Sequence, residues 1–405
     1  MTDSSSASEH RELAEIIEEL APVPRLPASA GEREAAEMIG KRFVTAGCAA
    51  RIEEVPAYDS YARPLAVLCA AAAAAGLFAG GGKGGALRRA AGFAVGAAAA
   101  AGVVDDITVG RMLARRALMP PRTTTNVIAE TGDGKAVATL VVLVHHDAAP
   151  SGVIFNQDAE RIFASRLPQV VDAMTSNPPM WWPVIAGPAL VGAGSLTGSK
   201  LLRRTGVAVS ALAAAALADI ATRPAVPGAN DNLSGVAAAI VLARRLRDNP
   251  VTGLRVLFVS AGAEEALQQG IRGYADRHFG EFDKERTWFL TLDTVGSGRL
   301  VMLEGEGTVR MHDYGASFKN LVASCAEDAG VTLLRGLRSR NSTDGCVPNH
   351  YGFRSVSLVS VDDQKLLPNY HLYSDIPENV DYRSVADAVT LCEAVARRLG
   401  RPSGR

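Results

Sequence analysis

A basic face is the first thing missing from this 405-residue chain. Its 42 Lys and Arg against 43 Asp and Glu leave a formal charge of -1, and the cations are scattered or fall in groups of two or three. Phosphate backbones need clustered positive charge, so nucleic acid is excluded as a partner. Cysteine is scarce as well. The five present (Cys48, Cys69, Cys325, Cys346 and Cys392) are odd in number, widely separated and without a CxxC pair, which excludes a disulfide framework and predicts reduced, structural thiols. No basic segment followed by an apolar stretch opens the chain, so no cleaved signal peptide is expected. Its length suits one large domain with additions, or two domains.

Composition is uneven along that length. EREAAEMIGKRFVTAG reads as a helix ending at Gly47 and RIEEVPAY as a strand. Then come apolar arms at 64–82 and 90–104, with Lys83, Arg88 and Arg89 between them. A second pair, 180–199 and 205–218, flanks Lys200, Arg203 and Arg204. These are two helical hairpins of like design, apolar along both arms and basic at the tip. An uncharged run of about 18 residues or more is long enough to cross a bilayer. The first arm of each hairpin meets that length and the second arms are marginal. Two readings stand: membrane contact through 64–104 and 180–218, with Trp181 and Trp182 at an interfacial position, or a soluble, Ala-rich helical cap. In the first the protein sits at the cell membrane, and in the second it is cytoplasmic.

Outside the hairpins, strands alternate with helices. TTNVIAE, ATLVVLVHHD, GLRVLFVSAG, WFLTLDTVG and SVSLVSV read as strands, and helices follow PGANDNLSG, at GIRGYADRHF, around 315–329 and over 382–399. The alternation predicts an α/β three-layer sandwich with a mixed, mainly parallel central sheet, interrupted by the two hairpins. The catalytic segments are then 1–62, 121–150 and 226–405, with inserts at 63–120 and 151–225.

In such sheets chemistry gathers at the carboxyl ends of strands. Acidic and imidazole groups stand there: HHD at 145–147, the pair Glu264 and Glu265, and Asp293, with Asp231 and His371 in turns. Singly each is ordinary, since an Asp before a helix is usually a cap and an acidic pair is usually solvated. Together, two histidines and several carboxylates make the nitrogen and oxygen donor set that zinc accepts. Residues i and i+2 of a strand share a face, so His145 and Asp147 point together while His146 points away.

The order HxD, GANDNLSG, AEE, LDTVG, YHLYSD resembles the co-catalytic di-zinc exopeptidase family, which includes bacterial secreted aminopeptidases, glutamate carboxypeptidase and glutaminyl cyclase. TTNVIAE and TDGCVPNHYGF look like two further family segments. The likeness covers about residues 30–62 and 121–395, excluding the hairpins. It implies two Zn2+ held by His145, Asp231, Glu265, Asp293 and His371, with Asp231 bridging and a cis bond at Asn232. It also implies that Asp147 steers His145, that Asp375 partners His371, and that Glu264 is the general base. Tyr370 has two readings, a donor to the oxyanion or a packed aromatic. EEALQQGIRGY departs from the family's short Gly-rich link and is expected to reshape the substrate pocket.

The implied activity is hydrolysis of a terminal bond of a peptide substrate, most simply as an aminopeptidase; carboxypeptidase or dipeptidase specificity stays open. The full two-metal set argues against the cyclase branch, which uses one zinc. From another class stands a metal-free membrane receptor or scaffold of the same fold. Finally, if RIEEV, TNVIAE and LVVLVHH form an antiparallel meander, both hairpins leave from one end of the sheet, and a four-helix bundle is expected on the active-site side.

Overall fold

The computed structural model describes residues 2–81 and 85–400, so Lys83 lies outside the described residues. Helices α1 (Thr2–Leu20) and α2 (Ala30–Thr45) precede strand β1 (Ala49–Ala57). The first hairpin follows as α3 (Ala62–Gly80) and α4 (Gly85–Ile107), and short α5 (Leu113–Leu118) leads back to β2 (Arg122–Gly132) and β3 (Ala138–His145). After β3 come short α6 (Asp158–Arg166) and α7 (Pro168–Ala173), then the second hairpin, α8 (Trp182–Thr197) and α9 (Lys200–Thr222). The remainder alternates: α10 (Gly235–Asp248), β4 (Leu254–Ala261), α11 (Gln269–His278), β5 (Thr287–Leu292), β6 (Arg299–Met302), then the two-residue strands β7 (Gly305–Glu306) and β8 (His312–Asp313). It closes with α12 (Ala316–Ala329), α13 (Cys346–His350), β9 (Arg354–Val361) and α14 (Tyr382–Leu399).

Seven strands form the main sheet in the order β1-β2-β4-β3-β5-β9-β6. β4, β3, β5 and β9 are mutually parallel, while β2 and β6 run against their neighbours. The chain is the expected α/β sandwich. Even-numbered residues of β3 (Leu140, Val142, Val144) join Phe258, Phe43 and the apolar faces of α1, α2, α10, α12 and α14. Odd-numbered Val141 and Leu143 meet Val259, Tyr274 and Phe289 on the face covered by α11 and α13.

The expected meander is not formed, because β4 lies between β2 and β3. The reason is burial. β3 and β4 are both apolar on consecutive residues and buried on both faces, a pattern that belongs inside a parallel sheet; sequential strands are neighbours only as a tendency. β1 and β3 still run the same way, since β2 opposes β4 as well as β1. Both inserts therefore leave from the edge at which β3, β4 and β5 end.

The four long insert helices pack as a bundle, α3 on α4 and α9, α8 on α4 and α9. Small residues set the spacing: a Cβ on Gly96 would lie 2.6 Å from the Gly192 nitrogen, and one on Gly206 2.5 Å from the Val191 nitrogen, the close approach that Gly permits between apolar helices. At the tip, Arg89 donates to the terminal carbonyls of α8 at Ser195 and Leu196. Among the described residues α3, α4 and α9 are long and apolar enough to cross a membrane. The arm expected to be long at 180–199 is the short one, since α8 has 16 residues, whereas α9 continues through its basic tip to Thr222. At its root the bundle shares an apolar cluster with the rest of the chain, where Leu65, Val103 and Leu217 meet Phe155, Leu267 and the ring of Tyr370. A buried ion pair, Arg115 with Asp106 at 3.0 Å, joins α5 to the end of α4, and Arg115 also donates to the Ala266 carbonyl.

Candidate metal centre and active site

Three parallel strands deliver the first donors. β3 ends in His145, β4 runs out through Ala263 into Glu264 and Glu265, and β5 ends just before Asp293. The turn entering α10 adds Asp231, and the loop before α14 adds His371, in the left-handed region at φ 56°. The five residues named as ligands from the sequence come together. His145, Asp231 and Asp293 form one group, Asp231, Glu265 and His371 another, and His145, Glu264 and Glu265 a third, with ligand atoms within 4.8 Å of one another in each. Asp231 belongs to the first two: Oδ1 lies 3.3 Å from His145 Nε2 and Oδ2 lies 3.3 Å from His371 Nε2. Glu265 Oε2 stands 3.2 Å from His371 Nε2.

Such crowding of buried charge needs compensation. Burial pushes the Asp293 carboxyl up to about 7, with Asp231 and Glu265 adding to the effect against His145. Burial also raises Glu265. It would raise Asp231 too, but the two imidazoles hold that carboxyl below the usual range. Burial opposes a charge on His371, yet Glu265 and Asp231 lift it to about 10. Asp231 Oδ2, Glu265 Oε1 and His371 Nε2 are buried without a hydrogen bond. Orphaned donor atoms of the nitrogen and oxygen type, all three from the Asp231, Glu265 and His371 group, fit a divalent cation such as zinc.

The supporting contacts explain why the donors hold still. Asp147 is fully buried; it lies 3.5 Å from His145 Nδ1, and its oxygens accept from the backbone N–H groups of Glu264 and Glu265 at 3.0 Å each. One carboxylate thus ties the end of β3 to the acidic corner after β4. His146 turns to the other face and meets Ser260 Oγ through Nδ1 at 3.0 Å; burial lowers its pKa to about 4, so it packs as a neutral ring. Asn232, after a cis peptide bond at Asp231, donates to the Leu292 carbonyl and accepts from the Thr294 N–H, fixing the Asp231 turn against the end of β5.

One expectation is corrected. Asp375 does not hold His371, whose Nδ1 has no hydrogen bond. Its two oxygens accept instead from the N–H groups of Asn230 and Asp231, at 2.8 and 3.0 Å. The short loop from His371 to Asp375 carries the carboxylate onto the neighbouring turn, where two backbone donors are available.

Four further residues escaped the reading of the sequence. Gln268 donates to Glu264 Oε1 at 2.9 Å and to the Ser342 carbonyl; its signal was the departure EEALQQ, which acts on the pocket through this side chain. Asp344 is buried, both oxygens lack partners, and burial pushes its carboxyl well up, helped by Asp147 and Asp293 against His145; it stands in the quoted segment TDGCVPNHYGF. Glu32 accepts from Ala263 N–H and Thr124 Oγ1. Arg25 donates to the carbonyls of His146, Pro227 and Gly228, clamping two donor-bearing loops. Nothing local in the sequence marks the last two.

Burial pushes the Glu264 carboxyl well above its usual value, Asp344 and Glu265 reinforcing the effect against His145. Tyr370 stacks on the His371 ring at 3.9 Å between centroids and meets Phe155 edge-on. Both residues line cavities beside the cluster. The larger holds about 450 Å³ and reaches Asp231, Glu264, Glu265 and Asp293 at one end. Between the cluster and the bundle root, a second is lined by Tyr61, Met180, Trp181 and His371.

Fold and donor set define a class: an α/β protein whose strand ends gather a buried nitrogen and oxygen donor set that could hold metal. The model of peptidase family M28 matches residues 214–396, the stretch that carries Asp231, Glu264, Glu265, Asp293 and His371, and is of the kind the motifs resemble. No curated protein matches the chain by sequence. Among solved structures, the aminopeptidase from Aneurinibacillus sp. strain AM-1 is similar at 15% identity, covering 97% of this chain and 94% of that one with a TM-score of 0.57. The zinc aminopeptidase BSAP from Bacillus subtilis is similar at 14%, covering 96% and 94% with a TM-score of 0.55. A glutaminyl cyclase from Bacteroides thetaiotaomicron, bound to N-acetylhistamine, is similar at 12%, covering 96% and 97% with a TM-score of 0.57. At these identities the likeness shows the fold.

Proposed function

We propose that the protein is a zinc-dependent exopeptidase that hydrolyses a terminal peptide bond as an aminopeptidase, with two Zn2+ per chain. The observation that carries this reading is the position of Asp231, one oxygen toward each imidazole. His145, Asp231 and Asp293 would hold one ion, and Asp231, Glu265 and His371 the other. Zinc bound there supplies a polarised scissile carbonyl and a water acidified toward neutrality. Glu264 accepts the proton of the attacking water and delivers it to the leaving amine. Gln268 holds Oε1 of Glu264, which leaves the other oxygen for that proton. Asp147 fixes the tautomer and direction of His145, and Tyr370 shields the back of His371 while its hydroxyl serves the developing oxyanion.

Metal analysis of the purified chain tests this. Near two zinc per chain is expected, with hydrolysis of aminoacyl anilides lost on chelation and restored by zinc. Near zero zinc in an active or correctly folded protein sinks the reading in favour of a scaffold.

We also propose that the catalytic segments 1–62, 121–150 and 226–405 are held at the cell membrane by a bundle inserted through residues 64–104 and 180–218. Support comes from the three long apolar helices and from apolar side chains left outside the bundle, including Leu77, Phe78, Leu87, Leu201 and Leu212. Basic tips at Arg88, Arg89, Arg203 and Arg204 favour the cytoplasmic side, which places the catalytic segments outside. The protein is expected to stay in the membrane pellet after carbonate extraction. Quantitative release would establish the soluble cap instead.

A further inference from the structure

The larger cavity is more apolar than a peptide terminus requires. One wall is the sheet side, with Val301, Leu303 and Val359; the other is the segment between β3 and the bundle, with Phe163, Val171 and Met174. At about 450 Å³ it falls in the range of roughly 300–1,000 Å³ that takes a drug-sized ligand, beyond what a single side chain fills. It opens onto Asp231, Glu264 and Asp293, so a chain lying in it would present its first carbonyl to the cluster.

The second wall has a built position. Lys365 Nζ donates to the carbonyls of Val171, Asp172 and Met174 at the end of α7, Gln157 donates to the Leu367 carbonyl, and the Arg338 N–H donates to the Thr175 carbonyl. Its other side exposes Val153, Ile154, Ile162, Leu167 and Val170, interspersed with the exposed charges Asp158, Glu160, Arg166 and Asp172. The segment then runs directly into α8, past exposed Met180 and Trp182. A stretch that is apolar toward the cavity, amphipathic toward the outside and continuous with the bundle suits the interfacial zone of a bilayer, with Trp182 at the same level.

We propose that the cavity is an acyl-chain site and that the natural substrate is an amphiphile from the membrane, an amine or amino acid carrying a long N-acyl chain. This rests on the zinc-assisted amide hydrolysis proposed above and extends its substrate class from peptides with a free amine to N-acyl amines. Water adds to the acyl carbon, the C–N bond breaks, and the proton taken from water goes to the amine, releasing a fatty acid and a free amine. A bulky N-terminal side chain of a peptide is the other source of the same apolar chemistry.

The test uses the full chain, zinc-loaded, in phosphatidylcholine nanodiscs, with empty discs as the partitioning control. Affinities for free alkanoates from acetate to dodecanoate are measured by calorimetry. Hydrolysis is followed for N-acylglycines of the same lengths and for alanyl, leucyl and phenylalanyl anilides. Affinity and kcat/KM are expected to rise about three- to fourfold per methylene until the cavity is full. Val359→Trp and Ala164→Trp, one on each wall, are expected to collapse the ratio of dodecanoyl to acetyl substrate. An alkanoate affinity independent of length overturns the acyl site, and if the anilides are still cleaved the peptidase reading stands without it. Rising affinity with no amide cleaved overturns the hydrolase reading and the substrate assignment together.

Discussion

Replacing Glu264 by alanine is expected to lower kcat by about 10²–10⁴-fold, the range that a positioned general base supplies, while zinc content stays that of the parent. The residue next to it, Glu265, points at His371 and Asp231, whereas Glu264 is held by Gln268 through one oxygen. The two adjacent carboxylates on one corner thus have different partners, as the proposed division between base and ligand requires. Removing the first takes away the proton acceptor without opening the donor cage. The variant needs two measurements together: metal per chain, and kcat on a saturating anilide. Full activity with full zinc would remove Glu264 from the mechanism.

Asp231→Ala is expected to do more. Its carboxylate belongs both to the group with His145 and Asp293 and to the group with Glu265 and His371, so its loss strips a ligand from each proposed ion position, and zinc is expected to fall from two per chain to well below one. Activity should drop by roughly 10⁴-fold or more, equivalent to about 5.5 kcal/mol of transition-state stabilisation. Stability should suffer as well, because His145 and His371 would remain buried beside Asp293 and Glu265 with the central partner gone; breaking such buried pairs typically costs about 3–5 kcal/mol. Asp293→Ala provides the contrast. That side chain serves one group alone, and the variant is expected to retain about one zinc. Equal zinc loss in the two variants would contradict a shared ligand.

His145, Glu265 and Asp293 were legible because each stands where an apolar run stops, and Asp231 and His371, which lie in turns, through the order of the motifs. In ATLVVLVHHD the odd positions of β3 predict the direction of His145 and Asp147, and the same parity turns His146 to Ser260. Strand neighbours were less legible. Nothing in the sequence of β2 or β3 says that β4, more than a hundred residues later, will part them; the shared exit for both hairpins came out the same through a different pairing. Asp375 was misread because proximity in sequence to His371 suggested contact, while the nearest unpaired donors were backbone groups of a turn 145 positions away. Arg25 and Glu32 are of the same kind. Their partners lie 121 and 231 residues off, and neither the stretch around Arg25 nor the first turn of α2 carries a period or motif that points there.

The spread of the donors along the chain also sets an order of events during synthesis. His145 emerges before the second hairpin, Asp231 only after it, and His371 within the last tenth of the polypeptide. A nascent chain therefore cannot bring Asp231, Glu265 and His371 together until both hairpins have left the ribosome and β9 has been made. Hydrolysis that needs the whole donor set is therefore expected only once β9 and the loop carrying His371 have been made.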